Sequence, residues 1–269
     1  MPLAVCATPI GNLEDVTLRV LGELAEADVV LCEDTRHTRG LLVRHGVRAR
    51  LLSYHRHNEA ARVAELMPRL EAGARIALVS DAGLPGINDP GARLIAAVVT
   101  AGLPVTVLPG PSAVETALVA SGLAGERYRF VGYLPRSEKG LATLWAELER
   151  IADTVVAFES PQRLPATLRS LAAALPARRV AVCRELTKRF EEVVRGTAAK
   201  LLERYSEVPK GEITLVFAGE VAAADDGPAL AAVKELVAAG VSRRHAAEVV
   251  AGLSSLSRNT LYRKSLQSD

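Results

Sequence analysis

The chain has 269 residues, of which 49% are hydrophobic and 24% are charged, and its formal net charge is +2. A chain of this length can bury one large core or two modest ones. No apolar run approaches the ~18 residues that a membrane helix requires, and the first residues lack the basic region of a signal peptide. Cys6, Cys32 and Cys183 stand in apolar runs without metal-like spacing, which is typical of reduced thiols. We therefore expect a cytoplasmic protein that does not enter a membrane.

Short apolar runs alternate with amphipathic segments in the first part of the chain. The runs predict strands, and the segments between them predict helices. The predicted strands are Leu3–Ala7, Asp28–Cys32, Arg50–Tyr54, Arg75–Ser80 and Pro104–Leu108. The predicted helices are Val16–Ala25, Thr38–His45, Glu59–Glu71 and Ala92–Ala101. Such an alternation is typical of an α/β layer around a largely parallel sheet.

The rhythm changes near residues 113–125, where strand-like runs continue but fewer helices separate them. The second set of predicted strands is Arg129–Leu134, Thr154–Glu159, Arg179–Arg184, Phe190–Arg195 and Glu212–Phe217. The predicted helices of this part are Glu138–Ile151, Gln162–Ala174 and Ala198–Tyr205. Because crossover helices are scarce here, the second sheet is expected to be mixed.

A basic C-terminal tail follows a second predicted linker, Ala222–Pro228. Three short helical patterns lie beyond it, with Gly240, Gly252 and Ser254 as turn residues between them. The segment Val241–Asp269 has five basic residues against two acidic ones, which favours a polyanionic partner. We expect an α/β domain over residues 1–113, a second α/β domain over 114–222 and the helical basic tail over 223–269.

Four loops rich in glycine or proline follow strands or strand-like runs, at residues 8–12, 81–91, 109–113 and 159–161. Loops after parallel strands gather at the carboxyl edge of the sheet, where open α/β sheets bind ligands. They could also be stiff connectors. Neither the dinucleotide pattern Gly-x-Gly-x-x-Gly nor the P-loop pattern follows these strands, so binding of NAD or ATP in the usual manner is excluded. Asp81 offers only acceptors and suits ribose hydroxyls or a cation.

Nine sequence blocks recur in a recognisable order. They are TPIGNLEDVTLRVL (8–21), ADVVLCEDTRHTRGLL (27–42), HNE (57–59), SDAGLPGINDPG (80–91), PGPSAVETALVASGL (109–123), FVGYLP (130–135), ESPQRL (159–164), RELTKRFEEVVRG (184–196) and KGEITLVF (210–217). Together they resemble the ribosomal RNA small-subunit methyltransferase I family, the cytidine 2′-O-ribose methylases of the tetrapyrrole-methylase superfamily. PGPSA is shared across the superfamily, whereas CEDTRHT and RELTKRFEE point to the rRNA member.

The resemblance implies a homodimer with the two-domain class III methyltransferase fold, a parallel-sheet N-domain, a mixed-sheet C-domain and a C-terminal helical extension. S-adenosylmethionine would lie in the cleft between the domains, and small-subunit rRNA or the assembled subunit would be the partner. The cofactor-binding residues carried over by position are Pro9 under the adenosyl group, Asp81 and Leu84 at the ribose and methionine, Ser112, Ala113, Phe158 and Leu186. This sequence departs from the family pattern at Leu84, where threonine is expected, and at Asn88, where serine is expected.

Two charged clusters, CEDTR (32–36) and RELTK (184–188), supply the catalytic candidates. A ribose hydroxyl is a weak nucleophile, so a nearby base or cation should help. We expect Lys188 or Arg184 to stabilise the nascent alkoxide, and Glu33 or Asp34 to orient the hydroxyl or accept its proton. An alternative interpretation makes Asp34 or Thr35 a helix cap and RELTKRFEE a solvated strand face.

Two other functions stay open at this point. The tail pattern, with Ser242 and Ser257 as possible caps, resembles a helix-turn-helix, which would make the chain a nucleic-acid-binding regulator. A small-molecule methylase acting on a tetrapyrrole is the second alternative. His55, His57 and Glu59 superficially resemble a metal pair, but a helix cap at Asn58 or a neighbour explains them more simply, and we expect no metal.

Overall fold

The computed structural model describes residues 2–219, 226–254 and 256–266 and begins with a parallel sheet. Its strand order is β3-β2-β4-β1-β5, with every pairing parallel. The elements of this part are β1 (Leu3–Cys6), α1 (Leu18–Glu26), β2 (Val29–Cys32), α2 (Thr35–Arg44), β3 (Leu51–Ser53), α3 (Glu59–Glu71), β4 (Ile76–Leu78), α4 (Ala92–Thr100), β5 (Val105–Leu108) and α5 (Ala113–Ser121). The predicted parallel sheet is confirmed.

A second five-stranded sheet follows, in the order β6-β7-β10-β8-β9. Only β6 and β7 pair in parallel, and the other three pairings are antiparallel, so the predicted mixed sheet is confirmed. The elements are β6 (Tyr128–Tyr133), α6 (Glu138–Arg150), β7 (Thr154–Glu159), α7 (Leu164–Ala174), β8 (Arg179–Arg184), β9 (Glu192–Thr197), α8 (Ala198–Arg204) and β10 (Ile213–Phe217). Trp145 packs in this half's core, 2% exposed and with its ring centroid 5.8 Å from that of Phe217.

Three short helices form the described part of the tail: α9 (Asp226–Ala238), α10 (Arg243–Leu253) and α11 (Arg258–Leu266). They pack around a small core that includes Val233, Val250 and Leu261. Gly252 was predicted as a turn residue but lies within α10, which ends one residue later. Residues 222–225 of the predicted linker lie outside the described residues. The domain boundaries stay a prediction.

Side-chain hydrogen bonds explain where several elements begin. Helix α2 begins at Thr35, three residues before the predicted start, because the Asp34 carboxylate accepts from the Arg36 backbone N–H. The cap interpretation of Asp34 is therefore correct. Asn58 holds the N-cap position of α3, but its side-chain oxygen accepts from the His55 N–H at 2.8 Å instead of capping the helix.

The cysteines of the chain are buried and reduced, as the sequence predicts. All three cysteines are free and buried. Burial, more than the nearby charges, raises the pKa of both the Cys6 and the Cys183 thiol to about 12. Within the described ranges, every helix is too short or too polar to pass through a bilayer.

Candidate functional site

A cavity of about 630 Å³ lies between the two sheets. Its walls on one side follow β2, β4 and β5, so they come from the carboxyl edge of the parallel sheet. The facing walls come from β6, β7, the turn after β8 and the start of β10. Small-molecule sites in proteins span roughly 300–1,000 Å³, so this cavity has the size of a ligand site.

The structure brings most of the predicted site residues together at this cavity. The predicted residues that line it are Glu33, Asp81, Leu84, Ser112, Ala113, Phe158 and Leu186. Four predicted residues are not among the described lining residues: Pro9, Asp34, Arg184 and Lys188. Pro9 borders a much smaller recess, which Asp81 also lines.

The loops after β1 and β4 are joined by backbone hydrogen bonds. The Thr8 N–H donates to the Gly83 carbonyl at 2.8 Å, and the Gly83 N–H donates to the Thr8 carbonyl at 3.0 Å. The Thr8 hydroxyl also donates to the Ser80 carbonyl at 3.0 Å. This pairing holds the loop that begins at Asp81 against the loop that contains Pro9. The glycine-rich stretch 81–91 is therefore a fixed wall of the cavity.

Asp81 also connects this wall to the segment after β2. Its Oδ1 accepts from the Asp34 backbone N–H at 3.1 Å. The Asp34 carboxylate itself is taken up by Arg36, whose Nη2 donates to Asp34 Oδ2 at 2.8 Å. This hydrogen bond with the Arg36 guanidinium is the main reason that the pKa of Asp34 lies far below its ordinary value. Asp34 thus positions the loop and stays ionised.

Asp89 is a cavity residue that the motif analysis did not single out. Burial raises the pKa of its carboxyl to about 6, and the negative charges of Glu33 and Asp81 add to the shift, while Arg56 opposes it. Glu33, Asp81 and Asp89 all line the cavity. The signal available in the sequence was a carboxylate between an asparagine and a proline in a loop that follows a strand.

The start of α5 forms another wall. The Ser112 hydroxyl donates to Glu115 Oε2, and the Tyr128 hydroxyl donates to Glu115 Oε1 at 2.7 Å. Glu115 and Tyr128 both line the cavity, although neither was predicted. Burial raises the pKa of Glu115, but the hydrogen bonds from Ser112 and Tyr128 outweigh it and leave that pKa below its ordinary value. Glu115 is therefore an ionised anchor that orients Ser112.

Three aromatic rings cover the facing wall. The ring centroid of Phe158 lies 4.9 Å from that of Phe130 and 5.6 Å from that of Tyr133, each pair edge to face. Edge-to-face rings at such distances attract each other through their quadrupoles. Phe130 and Tyr133 were missed by the sequence analysis, because they lie in a strand that reads as ordinary core.

The turn after β8 closes one end of the cavity against the loop after β1. The Asn12 N–H donates to Thr187 Oγ1 at 3.0 Å. A Cβ atom on Gly11 would lie only 2.5 Å from Lys188 Cγ and 2.9 Å from the Leu186 carbonyl, so only glycine fits there. Glu185 and Thr187 have φ of +52° and +64°, which non-glycine residues rarely adopt.

Lys188 lies behind this turn. Its Nζ donates to Glu185 Oε1 and Glu212 Oε2, both at 2.9 Å. Partial burial lowers the pKa of Lys188, but the hydrogen bonds with Glu212 and Glu185 outweigh it and raise that pKa above its ordinary value. Glu212 lines the cavity and Lys188 does not, so the Lys188 ammonium group is connected to the cavity by its hydrogen bond to Glu212.

Arg184 lies apart from the cavity. Its Nη1 donates to the Lys210 carbonyl at 3.1 Å, and its Nε lies 3.5 Å from Glu192 Oε1. The Glu192 partner belongs to the neighbouring strand β9, in register with Arg184.

The cavity as a whole is anionic and partly aromatic. Among the described lining residues there is no lysine or arginine, whereas six carboxylates are present: Glu33, Asp81, Asp89, Glu115, Glu159 and Glu212. Glu159 is buried in an ion pair with Arg163 and Glu212 is paired with Lys188, so the other four carry the negative charge of the cavity. Within the described residues, no group of three or more His, Cys, Asp or Glu side chains is arranged to hold a metal ion. Such a cavity suits an organic cation with apolar and hydroxyl groups.

Comparison with known proteins agrees with this architecture. Residues 2–202 match the family model "Tetrapyrrole (Corrin/Porphyrin) Methylases". The chain is 44% identical over 265 residues to "Ribosomal RNA small subunit methyltransferase I" of Micromonospora olivasterospora, covering 97% of this chain and 85% of that protein. It is 44% identical over 270 residues to the protein of the same name in Mycobacterium tuberculosis H37Rv, covering 99% and 95%.

Among solved structures, uroporphyrin-III C-methyltransferase from Thermus thermophilus, complexed with S-adenosylhomocysteine, superimposes with a TM-score of 0.55 at 19% identity. The match covers 81% of this chain and 97% of that chain, and at this identity it shows a shared fold. The family model spans most of the chain, and the relatives named above align over nearly all of it. The chain therefore belongs to the tetrapyrrole methylase family and, within it, to the ribosomal RNA small subunit methyltransferase I family.

Proposed function

We propose that this protein transfers a methyl group from S-adenosylmethionine to the ribose 2′-hydroxyl of a cytidine in small-subunit rRNA. The observation that carries the proposal is the cavity between the sheets, with its four carboxylates that have no basic partner among the described residues and its aromatic wall. Its size and its negative charge suit a sulfonium ligand. The negative charge also keeps RNA phosphates outside, so that only a base and its ribose would enter.

The residues present fit the cofactor. Asp81 and Leu84 lie on the wall that the parallel sheet supplies, and Phe158 and Leu186 lie on the facing wall. Leu84 offers apolar surface where threonine would offer a hydroxyl, so the polar contacts there fall to Asp81 and to backbone groups. Ser112 and Ala113 would meet the cofactor at the start of α5, and Pro9 would support Asp81 from behind. The structural relative complexed with S-adenosylhomocysteine supports this choice of cofactor.

The substrate assignment is supported by the relatives' names and by the distribution of basic residues. The exposed basic side chains of the tail include Arg244, Arg258 and Arg263. Arg36, whose guanidinium pairs with Asp34 after β2, is 88% exposed. Basic residues outside an anionic cavity would hold a polyanion while its target nucleotide reaches inward.

When bound, S-adenosylmethionine supplies an electrophilic methyl group on a positively charged sulfur. The chain must align the ribose hydroxyl with that methyl group and take up the hydroxyl proton. Glu33 is the candidate that lines the cavity, and we propose that it accepts this proton. Asp34, the other candidate, would position the loop through its hydrogen bonds.

Lys188 would act through Glu212, as a positioning cation that keeps the turn after β8 in place. The observed contacts of Arg184 with β9 and Lys210 support a structural part for this residue. Lys188 could stabilise the ribose alkoxide only if its ammonium group moved away from Glu212 when rRNA binds.

We also propose a homodimer. Apolar side chains are exposed on two edge strands and on the helix between them in sequence: Val107 is 51% exposed, Val119 is 77% exposed and Val131 is 40% exposed. Strands β5 and β6 are edges of their sheets. Exposed apolar groups at open sheet edges are typical of subunit interfaces.

Asp81→Ala is expected to weaken S-adenosylmethionine binding by about 1–3 kcal/mol, because one or two hydrogen bonds to a polar ligand are lost. Calorimetry measures the change. Asp81→Asn is the matched variant, since it keeps an acceptor for the Asp34 N–H but loses the charge. An unchanged affinity in Asp81→Ala would remove Asp81 from the cofactor site.

Glu33→Gln is expected to slow single-turnover methylation of saturating rRNA by about 10²–10⁴-fold, because a positioned base contributes that much. Cofactor affinity should stay within a few-fold of the parent. Asp34→Asn, measured in parallel, decides which of the two adjacent carboxylates carries the role, since asparagine caps a helix as well as aspartate. Lys188→Met tests the cation in the same assay. Parent-like rates in all three variants would leave alignment alone as the source of catalysis.

Replacing Arg244, Arg258 and Arg263 by glutamine is expected to weaken rRNA binding and leave cofactor binding intact. Each lost phosphate contact should flatten the salt dependence of affinity by roughly one unit of slope. Filter binding over a salt series measures it, with Arg150→Gln on α6 as the control. If the slope stays that of the parent, the tail does not contact RNA.

Val119→Glu is expected to convert a dimer to a monomer of 28.5 kDa, because a buried unpaired charge would oppose association. Sedimentation equilibrium gives the mass. Leu253→Glu is the control, since Leu253 is 85% exposed on α10 and is not one of the residues of the proposed interface. A parent that sediments as a monomer would refute the dimer.

A further inference from the structure

One corner of the cavity is built where the loop 81–91 meets strand β6. A Cβ atom on Gly132 would lie 2.9 Å from Asn88 Oδ1, so the Asn88 side chain packs directly against the strand at Gly132. Ile87 and Asp89 flank Asn88, and Tyr133 follows Gly132. All three flanking residues line the cavity. The corner therefore combines Ile87, Asp89 and Tyr133 from both halves of the fold.

Two of these side chains present bare apolar surface to the cavity. Tyr133 is 64% exposed and Ile87 is 55% exposed. The pairing of β6 with β7 shifts register between Phe130 and Tyr133, and such irregularities re-aim a side chain. The exposed Tyr133 ring is supported from behind by the edge-to-face contact with Phe158. A ring held in this way is a surface on which a flat base can stack.

The third side chain lacks a partner. In the part of the chain that the structure describes, the half-buried Asp89 carboxylate receives no hydrogen bond and forms no ion pair, and the charges of Glu33, Asp81 and Arg56 act on it only through space. An ionised carboxylate only accepts hydrogen bonds. A ligand that brought an N–H donor to this corner would satisfy a carboxylate that the protein leaves unpaired.

We propose that this corner holds the target base, with Tyr133 and Ile87 against its faces and the Asp89 carboxylate accepting a hydrogen bond from the exocyclic amine of cytosine. Asp89 would then be the residue that selects cytosine over uracil. Uracil presents a carbonyl oxygen where cytosine presents the amine, and two acceptors repel each other. The inference rests on the rRNA methylation proposed above and adds the residue that reads the base.

The test uses the full chain and rRNA transcripts that carry cytidine or uridine at the nucleotide that mass mapping identifies as the parent's target. The parent is expected to methylate the cytidine transcript with a preference of at least about 10–100-fold, the worth of one charge-assisted hydrogen bond. Asp89→Asn should lose most of this preference, because an amide can donate to uracil as well as accept from cytosine. Asp15→Asn, at an exposed aspartate outside the cavity, is the control and should keep the parent's preference.

Tyr133→Leu is the second variant. We expect at least a tenfold higher KM for rRNA with unchanged cofactor affinity, and we expect Tyr133→Phe to restore the parent's KM. An Asp89→Asn enzyme that keeps the full preference would overturn the assignment of Asp89, and a parent-like KM in Tyr133→Leu would overturn the stacking surface. A parent that methylates neither transcript, either free or reassembled into small ribosomal subunits, would instead refute the proposed function.

Thermal unfolding separates this role from a structural one. The folded-state pKa of Asp89 is raised, so its ionisation costs stability as pH rises from about 4 through about 6. Asp89→Asn is therefore expected to unfold at a higher temperature than the parent at pH 8, with the gap closing toward pH 4. A lower unfolding temperature at pH 8 would make Asp89 a structural residue and overturn the inference.

Discussion

Two close contacts at glycines join the halves of the fold, and the rest of the site depends on them. Gly11 meets the turn after β8, and Gly132 meets Asn88, each too closely for a Cβ atom. On the opposite side of each contact stands a non-glycine residue with positive φ, Thr187 or Asn88, both at +64°. Such conformations are costly and persist where the surroundings over-determine them. The cavity exists because these two contacts bring the sheets together at its ends while its middle stays open.

Charge is segregated around this cavity. Carboxylates line the interior, whereas exposed guanidinium groups such as those of Arg244 and Arg258 on the tail are not among its described lining residues. The arrangement repels phosphates from the interior, and a sulfonium is attracted into it. In the function proposed above, a polyanion and a cationic cofactor would therefore contact different surfaces of the protein. This separation is what an RNA-modifying methyltransferase needs from one cleft.

Sequence patterns predicted the two sheets, their parallel and mixed characters and the glycine-rich loops, because hydrophobic periodicity and turn residues act locally. The residues that border the open cavity depend on longer-range geometry. Tyr133 enters it through a register shift in β6, which no local pattern reports. Arg184 and Lys188 each lie two residues from Leu186, which lines the cavity, but neither side chain follows it there. The tight turn after β8 directs Lys188 to Glu212, and the pairing of β8 with β9 directs Arg184 to Glu192.

Glu33 and Asp34 are adjacent carboxylates directly after β2, and their surroundings differ. Asp34 accepts from the Arg36 N–H and guanidinium, so its pKa is depressed and it is a weak base. Glu33 points into the cavity, and the residues around it there, Asp81 and Asp89, are acidic. Of the two carboxylates, Glu33 is among the described residues that line the cavity and Asp34 is not. Its position is therefore the reason that the proposal above assigns the hydroxyl proton to Glu33, while the Asp34 backbone N–H holds Asp81 in place.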